Sequence, residues 1–142
     1  MKRFNILVGI IAIFGDDVLL LRRSLSEKFL PGAWGPPCGK IFFGERLEDA
    51  VRRELLEETA LQVNKFKRMV GYSMFMSDKE GDELHNLQIN YLIEVESAEP
   101  VILDKSNDDY KWIPIQECES AGLSEYALST IKQAFDSHES HD

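Results

Sequence analysis

Thirteen consecutive residues, 47–59 (LEDAVRRELLEET), contain neither glycine nor proline and are dominated by Glu, Arg, Leu and Ala, which strongly favours a helix. On a wheel of about 100° per residue, Glu54, Glu57 and Glu58 fall within one arc of roughly 100°. Leu47 and Ala50 share that arc, and Val51 lies at its edge. An ordinary surface helix carries its acids on the side away from the apolar stripe. Here the two coincide. Like charges three or four positions apart cost a few tenths of a kcal/mol per pair in water and more when desolvated. A hard divalent cation reverses that sign. Mg²⁺ prefers carboxylate oxygens, keeps several waters and accepts substrate phosphates into its shell, so glutamates on a rigid backbone suit it.

The segments around this helix predict a sheet. Residues 7–14 and 18–23 are rich in Val, Ile and Leu and are joined by Gly15-Asp16-Asp17, the pattern of paired, buried strands. Residues 24–39 contain Pro31, Gly32, Gly35, Pro36 and Pro37 and read as a shaped loop. Residues 63–75 and 87–95 predict further strands separated by a polar loop over 77–86, and residues 110–113 a last short strand ending at Pro114. Ser124 is a fitting cap for a second helix, in which Tyr126, Leu128, Ile131 and Phe135 recur near helical spacing, and residues 137–142 read as a frayed tail. Hairpins interspersed with two helices make an α+β chain with a mixed sheet, and the 142 residues suit one domain.

Charge and cysteine usage narrow the function. Sixteen basic against 25 acidic residues give a net charge of −9, which argues against a stable grip on a nucleic-acid backbone. An acidic chain can still bind a polyphosphate through metal cations or a few placed Arg and Lys residues. Cys38 and Cys118 lie far apart and form no Cys-x-x-Cys or Cys/His spacing, so neither a disulfide framework nor a zinc site is indicated and a reducing cytoplasm fits. The start, Met1-Lys2-Arg3 before an apolar stretch, lacks a small-residue cleavage site, and at about eleven residues the stretch is too short to span a bilayer.

From Gly39 the chain reads Gly39-x5-Glu45-x7-Arg53-Glu54-Leu55-x-Glu57-Glu58-x-Ala60-Leu61. This resembles the Nudix box, G-x5-E-x7-R-E-U-x-E-E-x-G-U with U aliphatic, at eight of nine specified positions over 23 residues. The preceding Trp34-Gly35-Pro36-Pro37 and the later Tyr110-Lys111-Trp112-Ile113-Pro114 are also similar to that family. The resemblance implies a mixed sheet between helices, an α/β/α sandwich. It implies a hydrolase in which water, activated by Mg²⁺ or by Mn²⁺ in its place, attacks a phosphorus of a phosphoanhydride in a nucleoside triphosphate or other nucleoside diphosphate linked to a further group.

Residue by residue, the resemblance makes Glu54, Glu57 and Glu58 the metal ligands, with the main-chain carbonyl of Cys38 a further candidate. Arg53 and Glu45 become a structural pair that orients the cluster, and a planar guanidinium is able to grip a carboxylate by two parallel hydrogen bonds. The proton acceptor is left open between Glu54 and the later acids Asp78, Glu80, Asp82 and Glu83. Lys40 and Arg22 or Arg23 are candidates for phosphate contact, and Trp34, Phe29, Tyr110 and Trp112 for stacking on a base. The three histidines show no ligand spacing.

Three positions depart from the family's habit. Ala60 replaces the usual Gly where a helix C′ residue turns left-handed, at a cost of about 1 kcal/mol. Phe42 stands where many members have another Glu and Cys38 where many have Gly, which leaves the number of cations open. Two alternatives accompany the hydrolase: a nucleotide-sensing module that keeps the fold without turnover, and an isoprenyl diphosphate isomerase, for which Cys38 sits in the wrong motif context. A homodimer is compatible with either reading.

Overall fold

The computed structural model describes residues 1–139; side chains from 136 onward and all of residues 140–142 are not described, so the expected frayed tail over 137–142 lies largely outside the described residues. The chain forms β1 (Lys2–Phe14), β2 (Asp17–Arg23), β3 (Trp34–Gly35), β4 (Cys38–Lys40), α1 (Leu47–Thr59), β5 (Val63–Lys79), β6 (Asp82–Val95), β7 (Asn107–Pro114), a 3-10 turn (Ile115–Ser120) and α2 (Glu125–Glu139). The main sheet runs in the order β3-β2-β1-β6-β5, with β4 added to β1 and β7 to β2. It is mixed, because β1 runs parallel to β6 and antiparallel to β2 and β4.

Strand alternation decides which residues meet which helix. Val8, Ile10 and Ala12 of β1, with Leu19 and Leu21 of β2, point to one side and pack with Ala50, Val51 and Leu55 of α1. Ile11 and Ile13, with Val18 and Leu20, point to the other side and meet Ile131 and Ala134 of α2 and Cys118 of the 3-10 turn. The sheet therefore lies between helices, as the α/β/α expectation has it. Helix α1 spans the thirteen residues its composition predicts. Ser124 caps α2 by accepting the Ala127 N–H through its hydroxyl at 3.1 Å. No described helix is long and apolar enough to cross a membrane.

One expectation is corrected. Residues 77–86 do not form a polar loop: β5 and β6 continue through them, pairing Ser77 with Leu84 and Lys79 with Asp82 around a two-residue turn. Glu80 and Gly81 both take positive φ, +52° and +85°, the backbone that a tight hairpin with right-handed twist requires. The segment's polarity suggested a loop, but the start of β1 zips alongside from Lys2 opposite Glu83 to Asn5 opposite Asn86, and a strand with a wet face tolerates charge.

This topology opens the site. β1 meets β2 only near their shared turn, at Ile13 with Val18 and Phe14 with Asp17; further along, β1 pairs with β4 instead, while β2 turns to β3 and β7. A cavity of about 560 Å³ is lined by residues of β1, β2, the 24–39 loop, α1 and the β5–β6 hairpin.

Candidate active site

The glutamates of helix α1 lie at three different depths, and Glu58 lines this cavity. Glu58 is 7% exposed, the Glu54 side chain 12% and the Glu57 side chain 54%. Glu58 Oε1 accepts from Asn107 Nδ2 of β7 at 3.2 Å, whereas Glu58 Oε2 is buried without a hydrogen-bond partner among the described residues. Burial pushes the Glu58 carboxyl well above the usual range, and the neighbouring Glu54 and Asp104 carboxylates push the same way. Burial also raises Glu54, although Arg53 opposes the shift. Glu54 faces Gly39 of β4 so closely that a β-carbon there would fall 2.0 Å from its carboxyl, which is the steric reason for a glycine at the head of the motif.

Arg53 organises these acids. Its Nε and Nη2 hold Glu45 by two hydrogen bonds of 2.8 and 2.9 Å, the fork-on-carboxylate geometry expected of this pair. Its Nη1 donates to Glu54 at 2.8 Å and to Glu57 at 3.3 Å, and Nη2 also reaches the Lys40 carbonyl at 3.0 Å. The Arg53 hydrogen bonds, seconded by the Phe42 N–H, hold the Glu45 carboxyl down at about 2. Phe42 lays its ring 3.7 Å from the guanidinium carbon, so the aromatic found where the family often has an acid covers the arginine instead. Ala60 ends the helix at φ +65° with its N–H on the Leu56 carbonyl, so the left-handed turn is made despite the β-carbon.

Among the described residues, no three His, Cys, Asp or Glu side chains converge as a ready-made cation cage. The donor set nonetheless fits a hard cation that keeps waters and takes up phosphates. Glu58 Oε2 lacks a partner, two carboxyls are destabilised as anions by burial, and all the donors are oxygen. A consequence in solution follows from these shifts. A raised carboxyl binds more protons folded than unfolded above its ordinary value of 4.5, so stability falls as pH rises from there towards the folded-state value. Glu45 acts oppositely, its contribution being present above 4.5 and lost as pH falls towards about 2. In EDTA, the melting temperature is therefore expected to fall between about pH 5 and pH 7, and Mg²⁺ to restore it at pH 7 while changing little near pH 4.5. Calorimetry in the two buffers measures this, and Mg²⁺-independent melting at pH 7 would contradict it.

The other predicted residues are placed as follows. Cys38, Lys40, Trp34 and Arg23 all line the cavity. Burial, with Glu58 second, pushes the Cys38 thiol up to about 12, so it is no nucleophile at neutral pH. The Arg23 guanidinium is engaged with the Phe29 carbonyl at 2.6 Å and Glu27 at 3.3 Å, shaping the loop. Trp34 has Lys111 Nζ 4.2 Å and the Arg22 guanidinium 5.8 Å from its ring centre. Tyr110 donates to Glu99, and Trp112 Nε1 to the Ala98 carbonyl, while both rings pack on the α1 side of the core. Phe29 stacks on Phe75 at the cavity wall. Of the later acids, Asp78 and Glu80 line the cavity, and Asp82 is paired with Arg3 and the amino terminus.

Sequence reasoning missed Asn107, which holds Glu58, and the amides Asn5 and Asn86 with Phe75 and Tyr126 on the cavity wall. One signal was available for part of this. In β6 the alternation Asn86-x-Gln88-x-Asn90 puts three amides on one face of a strand whose other face is largely apolar, and all three are buried.

Comparison with known proteins gives this geometry a context. The NUDIX domain family model matches residues 3–133. Over 46 residues, 32% of this chain and 16% of the relative, the chain is 50% identical to an m7GpppN-mRNA hydrolase, NUDT17, of Xenopus laevis. Over 101 residues, 71% of this chain and 33% of the relative, it is 28% identical to an NAD-capped RNA hydrolase, NudC, of Pseudomonas aeruginosa. The chain thus spans between about a sixth and a third of the length of these relatives. The crystal structure of a MutT protein from Methanosarcina mazei superposes with a TM-score of 0.77, covering 97% of this chain and 96% of that one at 23% identity, a likeness of fold.

Proposed function

This chain belongs to the NUDIX family, and from that premise we propose that it is a divalent-cation-dependent hydrolase cleaving a phosphoanhydride bond in a nucleoside triphosphate or another nucleoside diphosphate linked to a further group. The observation that carries the reading is the unpartnered, buried Glu58 Oε2 beside the buried Glu54 carboxyl at the wall of a cavity large enough for a nucleotide. Glu54, Glu57, Glu58 and the main-chain carbonyl of Cys38 are the groups that would hold the cation. Mg²⁺, or Mn²⁺ in its place, supplies charge neutralisation on the phosphate oxygens and lowers the pKa of water.

The chain's own residues do the rest. Arg53 fixes Glu54 and Glu57 from one side while Glu45 fixes Arg53, so the carboxylates are positioned before substrate arrives. Glu54, and the later acids Asp78 and Glu80 that line the cavity, are the carboxylates available to take the proton from water. Lys40, exposed at the cavity rim, is available to a phosphate.

The test is a substrate panel with Mg²⁺ comprising nucleoside triphosphates, dinucleoside polyphosphates, ADP-ribose and nucleoside diphosphate sugars. Release of a nucleoside monophosphate or pyrophosphate from at least one member is expected, with Glu57→Gln lowering that rate by about 10²-fold, or roughly 2.7 kcal/mol. Absence of turnover across the whole panel would replace this reading by the sensing module.

A further inference from the structure

The loop that leads into β7 is braced from both sides. Asp104 accepts from the Ser106 N–H at 3.1 Å and from the Ser106 hydroxyl at 2.7 Å. Ser24, just past β2, donates its N–H to the Ser106 carbonyl and its hydroxyl to the Lys105 carbonyl, both at 2.9 Å. The next residue is Asn107, which starts β7 and is 7% exposed. Pairing between β2 and β7 is regular from Asp17 with Pro114 to Arg22 with Asp109, and then slips so that Arg23 pairs with Asn107 and Asp108 is the extra residue. This bulge decides where Asn107 points. Tyr110 and Trp112 lie on the α1 side of the sheet, and unbroken alternation would send Asn107 to the opposite side. One inserted residue re-aims it towards the last turn of α1.

There Asn107 Nδ2 donates to Glu58 Oε1 at 3.2 Å, with Ser106 Oγ a second acceptor at 3.3 Å. An ionised carboxylate only accepts, so the amide is oriented with its nitrogen towards Glu58. The two oxygens of Glu58 are thereby made unequal. Oε1 is held by a protein donor, while Oε2 is buried and without a partner among the described residues.

That inequality bears on which cation the site takes. Ca²⁺ collects roughly six to eight oxygens in flexible geometry and readily takes both oxygens of one carboxylate. Mg²⁺ is smaller, keeps to octahedral geometry and retains waters, so it asks for single oxygens from few carboxylates. A carboxylate with one oxygen withdrawn into a hydrogen bond suits the second ion and not the first. We propose that Asn107 is a positioning residue that makes the cation site selective for Mg²⁺ over Ca²⁺, by holding Glu58 Oε1 and leaving Oε2 as the oxygen offered to the ion. The proposal rests on the hydrolase reading for the presence of a cation at Glu58, and adds what sets the choice of ion. It also gives the bulge in β7 a purpose, since without it no amide would reach Glu58 from this strand.

Equilibrium binding tests it without turnover. After EDTA treatment and dialysis, titration calorimetry on the full chain, without nucleotide, gives Kd for MgCl₂ and for CaCl₂. The parent is expected to bind Mg²⁺ at least as tightly as Ca²⁺. Asn107→Leu, which keeps the volume without the donor, and Asn107→Ala are each expected to shift the ratio of the two constants towards Ca²⁺ by about fivefold or more. The shift has to pass through Glu58. In a Glu58→Gln background, where the side chain has a single oxygen, Asn107→Leu is therefore expected to change the ratio by less than about twofold. A merely structural Asn107 would weaken both ions alike. A parent that binds neither ion or prefers Ca²⁺, a ratio unmoved in both single variants, or an equal shift in the Glu58→Gln background would overturn the assignment. Turnover with a ratio indifferent to Asn107 would sink this role alone, and the ratio shift in a chain that turns over no member of the substrate panel would sink the hydrolase reading alone.

Discussion

Glu58→Gln is expected to lower kcat/KM by about 10³-fold, roughly 4 kcal/mol of transition-state stabilisation, while raising the melting temperature of the cation-free protein by about 3 °C or more. The opposite signs are the point. Glu58 is buried against Glu54 with one oxygen unpartnered, so its charge opposes folding whenever no cation is bound. Glutamine keeps the shape and keeps an oxygen for Asn107, and its amide nitrogen faces Glu54 with a donor in place of a second anionic oxygen. The same substitution removes one anionic ligand from the cation site, so Mg²⁺ is expected to stabilise the variant less than the parent. Calorimetry with and without Mg²⁺, alongside steady-state kinetics, measures both. A variant that melts lower than the parent in EDTA and still turns over would show that Glu58 is a structural acid.

Arg53→Ala is expected to lower kcat/KM by about 10³-fold as well, but with a loss of stability of about 2–3 kcal/mol. One guanidinium, its side chain 20% exposed, donates to Glu45, Glu54, Glu57 and the Lys40 carbonyl, and its removal leaves three carboxylates facing one another without a counter-charge. Arg53→Lys is expected to recover little of either quantity, because an ammonium cannot span Glu45 by two parallel bonds while also reaching Glu54. Kinetics and denaturant unfolding on the two variants decide this. Activity near that of the parent in the lysine variant would mean that charge alone matters and that the forked geometry does not.

These expectations draw on features that differ in how far they could be read from the chain. The helix over 47–59 was legible to the residue, because propensity and the absence of breakers are local properties. The Arg53–Glu45 grip was implied by the resemblance of the motif, and the two side chains meet at 2.8 and 2.9 Å; the motif left open how the helix would end at Ala60, and the structure has it left-handed at φ +65°. The wheel also predicted that acids would share the apolar face. It did not predict their ranking: Glu58 is buried while Glu57, one residue earlier, stands half in solvent. That difference depends on what packs beside each side chain. For Glu58 the partner is Asn107, 49 residues away.

The β5–β6 hairpin shows the same limit. Its polar tip looks like a loop when hydropathy is read along the chain, and only its pairing with β1 reveals strands. The sequence by itself determined the helix, its glutamates, the arginine that orients them and the glycine that admits Glu54, all of which lie within 23 consecutive residues. Tertiary structure alone decided which carboxylate oxygen is left unpartnered, where the cavity opens and which amides line it. Asn5 meets Asn86 across 81 residues, and Tyr126 meets Gln88 across 38, through strand register and helix docking. Short-range spacing sets which side chains share a face, and the partners a face will meet are set by burial and pairing summed over the whole chain.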